Sequence, residues 1–269
     1  MIKKNTKSRI GSVARHESNI SQLLHASKSG DSDVSHAVFE ISPSDKRRFL
    51  SACKFGAVSK WALKFLFKVY ETQQADAITT FYQQISGMPS AASLRGHVFE
   101  LQALHYLDDL RTKREFSIRG LTSTTMTWIY HGRTRRFNSP QDLDSIKEIT
   151  QAVEQKTPLH LVPGANFPAV DSILYDPGEV LTCIQTTISG KHDIRVSGLR
   201  RIQSWLRGEP LAALRPSKNR PWRFIFIVPP SVEESFKSQR LEGDTARGEW
   251  AGKVQQYVLG LDILGKNAK

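Results

Sequence analysis

The sequence predicts a mixed α/β fold: a helical N-terminal region is followed along the chain by an α+β arrangement with a mixed sheet. Three stretches carry this prediction. Residues 91–113 have apolar side chains at helical spacing, residues 167–192 read as two strands joined by a turn, and residues 222–228 form a near-continuous apolar run. Such a run is typical of a strand that is buried on both faces of a sheet. At 269 residues, the chain suffices for one large domain or for a domain with a smaller appendage.

The charge balance favours a polyanionic partner. The chain carries 38 basic and 26 acidic residues, which gives a formal net charge of +12. Nucleic acid is therefore the first expectation for a partner and an acidic membrane surface the second, while a generic basic surface stays an alternative.

The cysteines and the hydropathy pattern exclude several classes. Cys53 and Cys183 lie far apart without metal-ligand spacing, so neither a disulfide scaffold nor a zinc site is indicated, and we expect a reducing compartment. The sequence contains no apolar run as long as a signal peptide or a membrane span requires, so we expect a soluble protein. It also lacks a P-loop and the nucleophile motif of α/β-hydrolases.

Three regions are expected along the chain: a basic flexible arm over residues 1–35, a helical region over 36–90, and the main domain over 91–269. The helical region contains a helix that starts near Ser42 and ends at Gly56, and an amphipathic helix over 58–70 with a row of lysines. A third helix, over 74–86, stops at Gly87.

The first part of the main domain should contain two helices and two strands. The long helix over 91–113 carries Glu100 three positions after His97, on neighbouring parts of one surface. Strands follow over 116–121 and 124–130, and a helix over 139–156 uses Ser139 as its cap.

The centre of the domain is a β-hairpin. Its first strand covers 169–175, Asp-Pro-Gly makes the turn, and its second strand covers 180–188. The hairpin brings Asp171 close to Gln185, and strand alternation puts Thr187 on the same face as Gln185. A carboxylate beside an amide and hydroxyls suits Mg²⁺. The alternative is structural: Asp171 caps the strand or turn, and Gln185 bonds across a polar edge.

The remainder should form a helix over 194–206, the strand over 222–228 and a final helix over 249–261. Basic side chains in this domain are candidates for contacts with the nucleic-acid backbone. They are Arg133, Arg135, Arg136, Arg200, Arg201 and Lys218.

From Ala91, the order helix, strand region, hairpin, helix and strand resembles the αβββαβ core of the PD-(D/E)XK, or restriction-endonuclease-like, superfamily. Members of that superfamily carry an acid on the helix, an Asp on the second strand, and a Glu or Gln followed by a Lys on the third. The matching positions here are Glu100, Asp171 and Gln185.

Longer sequence segments resemble the C-terminal domains of Crinkler-type effectors and retrotransposon-hot-spot-like proteins of fungi and oomycetes. These segments are GHVFELQALHYL, NFPAVDSIL, IQTTISGKHDIRVSGL, RPWRFIFIVP and QQYVLGLDIL, within residues 90–262. This resemblance implies a nuclease-fold toxin or virulence domain that acts on DNA in a nucleus, the host nucleus if the protein is exported.

The resemblance also implies site roles. Asp171 would be the principal ligand of Mg²⁺ or Mn²⁺, with Glu100 as second ligand and Gln185 as an oxygen donor. Thr187 stands where the superfamily has its lysine, so Lys191 or His192 would have to replace that charge. The implied activity is endonucleolytic cleavage of double-stranded DNA. A catalytically inactive DNA-binding module and a protein-interaction effector stay open, as do homodimerisation and contacts with host nuclear proteins.

Overall fold

The structure is a computed structural model. It describes residues 39–43, 53–57, 77–110, 113–121, 124–131, 135–139, 141–163, 167–244 and 248–263. Two compact units are distinguished, one comprising residues 1–102 with 264–269 and the other residues 103–263. The predicted arm over 1–35 and the predicted helix over 58–70 lie outside the described residues.

The described part of the first unit contains two strands and two helices. They are β1 (Phe39–Pro43), β2 (Cys53–Ala57), α1 (Ala77–Ser86) and the beginning of α2 (Ala92–Asp109), which a 3₁₀ turn over Pro89–Ala91 precedes. The predicted third helix is confirmed as α1. The predicted helix from Ser42 to Gly56 is wrong at both ends. Ser42 lies in β1 and Gly56 in β2, and these strands pair antiparallel, with Phe55 opposite Ile41. In both strands apolar and polar residues alternate, which suits strand pairing better than one helical stripe.

The second unit is built on one eight-stranded sheet. In chain order its strands are β3 (Arg114–Gly120), β4 (Met126–Tyr130), β5 (Arg135–Ser139), β6 (Leu159–Pro163), β7 (Ser172–Tyr175), β8 (Thr182–Thr186), β10 (Trp222–Val228) and β12 (Val254–Gly260). Across the sheet they lie in the order β4-β3-β12-β10-β8-β7-β6-β5. The other elements are α3 (Asp142–Gln155), β9 (Ile194–Arg195), α4 (Val196–Trp205), a 3₁₀ turn over Leu211–Leu214, α5 (Pro230–Glu233) and β11 (Leu241–Glu242).

The sheet is mixed in strand direction. β6, β7 and β8 form an antiparallel meander, after which α4 leads to β10, which lies parallel to β8. β12 adds parallel to β10, and β3 and β4 complete that side antiparallel. On the other side β5 lies parallel to β6. The predicted α/β class with a mixed sheet is confirmed.

Helices α3 and α4 contribute to one core cluster with the centre of the sheet. Ile149 of α3 and Leu199 of α4 are buried in this cluster with Phe224 and Phe226 of β10. Ile225 and Ile227, which alternate with them, are buried as well. β10 is therefore covered on both faces, as its apolar run predicts.

Two predictions in this unit are wrong. The final helix is strand β12, because its four successive residues from Gln256 to Leu259 are all buried, which a central strand permits and a one-sided helix does not. Ser139 does not cap α3: it is the last residue of β5, and Gln141 holds the cap position without a side-chain hydrogen bond.

Candidate active site

The meander brings Asp171 and Gln185 together, as predicted. In the β7–β8 ladder Ser172 lies opposite Ile184 and Ile173 opposite Cys183, so one further step places Asp171 opposite Gln185. The Asp171 amide N–H donates to the carbonyl of Ile184 at 2.8 Å, which continues the pairing to that point. The two side chains therefore meet because of strand register and not through a flexible loop.

The Asp171 carboxylate accepts three hydrogen bonds at one oxygen atom. Its Oδ2 receives Gln185 Nε2 at 2.9 Å, the Thr186 backbone N–H at 2.7 Å and the Thr186 hydroxyl at 2.7 Å. Strict alternation along β8 would place Thr186 on the opposite face from Gln185. Thr186 reaches the same carboxylate from the last position of β8, through both its backbone N–H and its hydroxyl.

The site lies on the sheet face that α3 and α4 cover. Ile173 and Cys183 belong to the core cluster shared with these helices, and alternation places Asp171 and Gln185 on that same face. Gln185 is buried with 7% of its surface exposed, whereas Asp171 is only half-buried. The carboxylate thus lies at the border between the core and solvent.

A close backbone approach fixes the chain that enters Asp171. Ala169 has φ 81°, a left-handed conformation that a residue with a Cβ rarely adopts. Gly198 of α4 lies against this bend: a Cβ built on it would be 1.8 Å from the Pro168 carbonyl oxygen. Left-handed non-glycine residues are enriched near functional sites, because surrounding structure must hold them in place.

Side chains order the loop that follows β8. Thr187 Oγ1 accepts the Ser189 N–H at 3.1 Å, and Ser189 Oγ accepts the Lys191 N–H at 3.2 Å. The His192 N–H donates to Gln239 Oε1 at 2.6 Å. The Lys191 side chain is exposed and His192 is half-buried. Thr187 therefore shapes the loop that carries both candidate cations.

Glu100 belongs to the first compact unit, because the division falls between Gln102 and Ala103 inside α2. Its carboxylate lies 3.8 Å from His97 Nδ1, in the predicted three-residue relation.

The predicted nucleic-acid contacts fall into distinct groups. Arg133 lies outside the described residues, and only the backbone of Arg135 and Arg136 is described, in β5. Arg200 Nη2 pairs with Glu249 at 2.8 Å. Lys218 is exposed on the loop before β10.

Arg201 is held within the fold. Its guanidinium pairs with Asp142 at 2.7 Å and lies 4.8 Å from the centre of the Phe167 ring. The hydrogen bond from Arg201 lowers the pKa of Asp142 below its ordinary value. This half-exposed pair joins α3 to α4, so a phosphate would have to compete with Asp142 for the arginine.

A second carboxylate lies at the opposite end of the same hairpin. Asp176, in the turn after β7, is 6% exposed, and burial raises its pKa above the ordinary value. The negative charge of Asp176 therefore lowers the free energy of unfolding. This destabilisation is fully present above the pKa of Asp176 in the folded state, and it disappears as the pH falls below the pKa of about 4 in the unfolded chain.

We expect Asp176→Asn to stabilise the protein at pH 7, by on the order of 1 kcal/mol, because it removes an incompletely compensated buried charge. The gain should shrink as the pH is lowered toward 4. Urea unfolding at several pH values measures it, with the exposed Asp262→Asn as a matched control that should show no such gain. A gain that grows on acidification would contradict the assignment.

The donor chemistry of the hairpin site fits a hard divalent cation. Gln185 points its Nε2 at Asp171, and no hydrogen bond to its Oε1 occurs in the described part of the chain. A carboxylate and an amide oxygen are ligands that Mg²⁺ accepts while it keeps several waters. No cluster of three His, Cys, Asp or Glu suited to a metal occurs among the described residues, so water and phosphate would have to complete the shell.

Comparisons of this chain with protein-family models, with curated proteins and with solved structures give no match. None of the helices in the described ranges combines the length and apolar character needed to cross a bilayer. The site must therefore be interpreted from its own chemistry.

Sequence reasoning missed three residues around this site. Thr186 is the last residue of β8, opposite Ile227 of β10, and strand alternation alone did not indicate its hydrogen bonds to Asp171. Gln239 and Gln256 are buried polar residues far along the chain, and their long-range hydrogen bonds leave no local sequence pattern.

Proposed function

We propose that this protein is a metal-dependent nuclease that hydrolyses phosphodiester bonds of DNA. The observation that carries the proposal is the Asp171 carboxylate, held by Gln185 and Thr186 at the solvent border of the central meander. A carboxylate at a strand end, next to a side-chain amide that can also offer its oxygen, can hold a cation that activates water and stabilises charge on a phosphodiester. The net charge of +12 supports a polyanionic substrate.

The order of elements also supports this proposal. Apart from the two-residue β9 and a 3₁₀ turn, α3, β6, β7, β8, α4 and β10 follow one another as helix, three strands, helix, strand, the αβββαβ order of the PD-(D/E)XK superfamily. Asp171 lies directly before β7, the second of these three strands, and Gln185 lies in β8, the third. Membership of that superfamily, and of its Crinkler-type effectors acting in a host nucleus, is part of the proposal.

This alignment adds a second candidate for the helical acid. The helix that directly precedes the three strands is α3 and not α2. Glu148 lies three and four positions from the buried Ser145 and Ala152, so it shares the inner side of α3 with them. Glu148 is therefore, in addition to Glu100, a candidate for the second oxygen ligand.

In the proposed reaction the residues of this chain bind and orient. Asp171 and Gln185 would supply oxygen ligands to Mg²⁺ or Mn²⁺. Lys191 or His192, on the ordered loop, would stabilise the negative charge that develops on the phosphate, the role left vacant by Thr187. Exposed basic side chains such as Lys218 would hold the DNA backbone without reading its sequence.

The test is cleavage of supercoiled plasmid and single-stranded DNA in Mg²⁺ or Mn²⁺, with EDTA as the negative control. Metal-dependent products are expected. Glu148→Gln and Glu100→Gln in the same assay should separate the two helical acids, since only the ligand should lower the rate by tenfold or more. DNA binding at several salt concentrations, measured in parallel, should be the same in both variants.

A second candidate function is DNA binding without cleavage. It is favoured by Thr187 in the lysine position and by the three donors that already satisfy Asp171 Oδ2. Salt-dependent binding with no products at any metal concentration would establish it. Absence of DNA binding at physiological salt would instead favour a protein-interaction effector.

A further inference from the structure

Gln239 connects the loop after β8 to the rigid sheet. Its side chain is buried and bonds the loop twice: Oε1 accepts the His192 N–H at 2.6 Å, and Nε2 donates to the Gly190 carbonyl at 3.3 Å. Nε2 also donates to the Lys237 carbonyl at 2.6 Å. One amide thus holds both backbone groups that flank Lys191.

The backbone of Gln239 is fixed in turn by strand β12. The side-chain amide of Gln256 accepts the Gln239 N–H at 2.8 Å and donates to the Gln239 carbonyl at 2.8 Å. Gln256 is 5% exposed and lies opposite Phe224 of β10. The Gln256 side chain thus satisfies the backbone N–H and carbonyl of Gln239 as a neighbouring strand would, and it fixes Gln239 to the centre of the sheet.

A second set of bonds holds the loop from its own strand. Thr187 and Ser189 accept the amides of Ser189 and Lys191. Together with Gln239, they bind three backbone N–H groups within a span of four residues. A loop whose amides are satisfied in this way has few alternative conformations.

We propose that Gln239 is a positioning residue of the nuclease site: it holds the Gly190–His192 loop so that Lys191 or His192 supplies the positive charge missing at Thr187. This inference rests on the proposed function. Gln239 would not touch the substrate, and its effect would reach the phosphate only through the loop.

The test compares Gln239→Met, which keeps the volume and removes both polar atoms, with the exposed Gln155→Met as a control. Hydrogen exchange at the amide of His192 should accelerate at least tenfold in Gln239→Met, and not in the control. The Mn²⁺-dependent cleavage rate should fall between tenfold and about a hundredfold, with unchanged DNA affinity, since small misplacements of a catalytic group have costs of that order.

A double-mutant cycle distinguishes positioning from general stability. In a background that carries both Lys191→Ala and His192→Ala, adding Gln239→Met should lower the cleavage rate no further, because the side chains that Gln239 positions are already absent. An additional loss as large as in the parent background would overturn the proposal, and so would an unchanged rate in Gln239→Met. If Gln239→Met does not fold, the exposed Ser189→Ala, which releases the Lys191 amide, should slow cleavage in the same direction.

The two hypotheses fail differently. A parent protein without metal-dependent cleavage would overturn the proposed function, and the catalytic role of the loop with it, even if exchange at His192 responded to Gln239→Met. A parent that cleaves DNA while Gln239→Met cleaves equally fast would overturn the positioning role alone.

Discussion

Asp171→Asn is expected to reduce the metal-dependent cleavage rate at least about a thousandfold, the kinetic equivalent of several kcal/mol of lost charge stabilisation. The fold should survive, because the amide oxygen of asparagine can take the place of Oδ2. That oxygen would still accept the N–H and the hydroxyl of Thr186. What disappears is the negative charge that attracts a cation.

The same hairpin offers a matched control for this variant. Asp176→Asn makes the identical chemical change to a buried carboxylate at the turn. It should leave the cleavage rate within about twofold of the parent. DNA affinity, measured by fluorescence anisotropy in Ca²⁺ or EDTA, should be unchanged in both variants. Full cleavage by Asp171→Asn, or equal losses in the two variants, would remove Asp171 from the site.

Gly198→Ala is expected to destabilise the second unit by on the order of 3 kcal/mol. The new Cβ would lie 1.8 Å from the Pro168 carbonyl oxygen, 2.6 Å from its carbonyl carbon and 2.9 Å from Ala169 Cβ. Backbone atoms cannot rotate away, so α4 or the bend before Asp171 must move. The usual gain from replacing glycine by alanine within a helix is about 1 kcal/mol and cannot offset this overlap.

Urea unfolding measures the effect of Gly198→Ala, with the neighbouring exposed Ser197→Ala as control, which should change stability by no more than about 0.5 kcal/mol. Because the displaced bend leads into Asp171, cleavage by the folded fraction of Gly198→Ala should also fall. Stability equal to that of the parent would contradict a close approach of α4 to the Pro168 carbonyl.

The sequence predicts the elements with strong local signals. The run over 222–228 is β10, the Asp-Pro-Gly turn joins β7 to β8, and the helices at 77–86 and 142–155 follow apolar periodicity. These signals are local because the side chains concerned are adjacent in the chain or one helical turn apart.

Elements buried on both sides were harder to predict. β12 contains Val254, Tyr257 and Val258, a spacing that fits a helix as well as a strand. Its identity depends on β10 and β3, which lie beside it in the sheet although they are distant in sequence. Tertiary pairing therefore decides where the local pattern is ambiguous.

The site shows the same division. Asp171 and Gln185 could be paired from the sequence, because a tight turn fixes hairpin register. Thr186 could not, since its contact arises where β8 ends, and Gln239 could not, since its partners lie 47 and 17 positions away. Burial of polar side chains reveals such residues only once the fold is known.

The most direct test of the central claim is Mn²⁺ binding, followed by electron paramagnetic resonance, to the parent and to Asp171→Asn, each with a short DNA duplex bound. We predict that the parent binds Mn²⁺ and that the substitution abolishes this binding while the duplex stays bound. Identical Mn²⁺ binding by both proteins, or none by the parent, would contradict a metal site at Asp171.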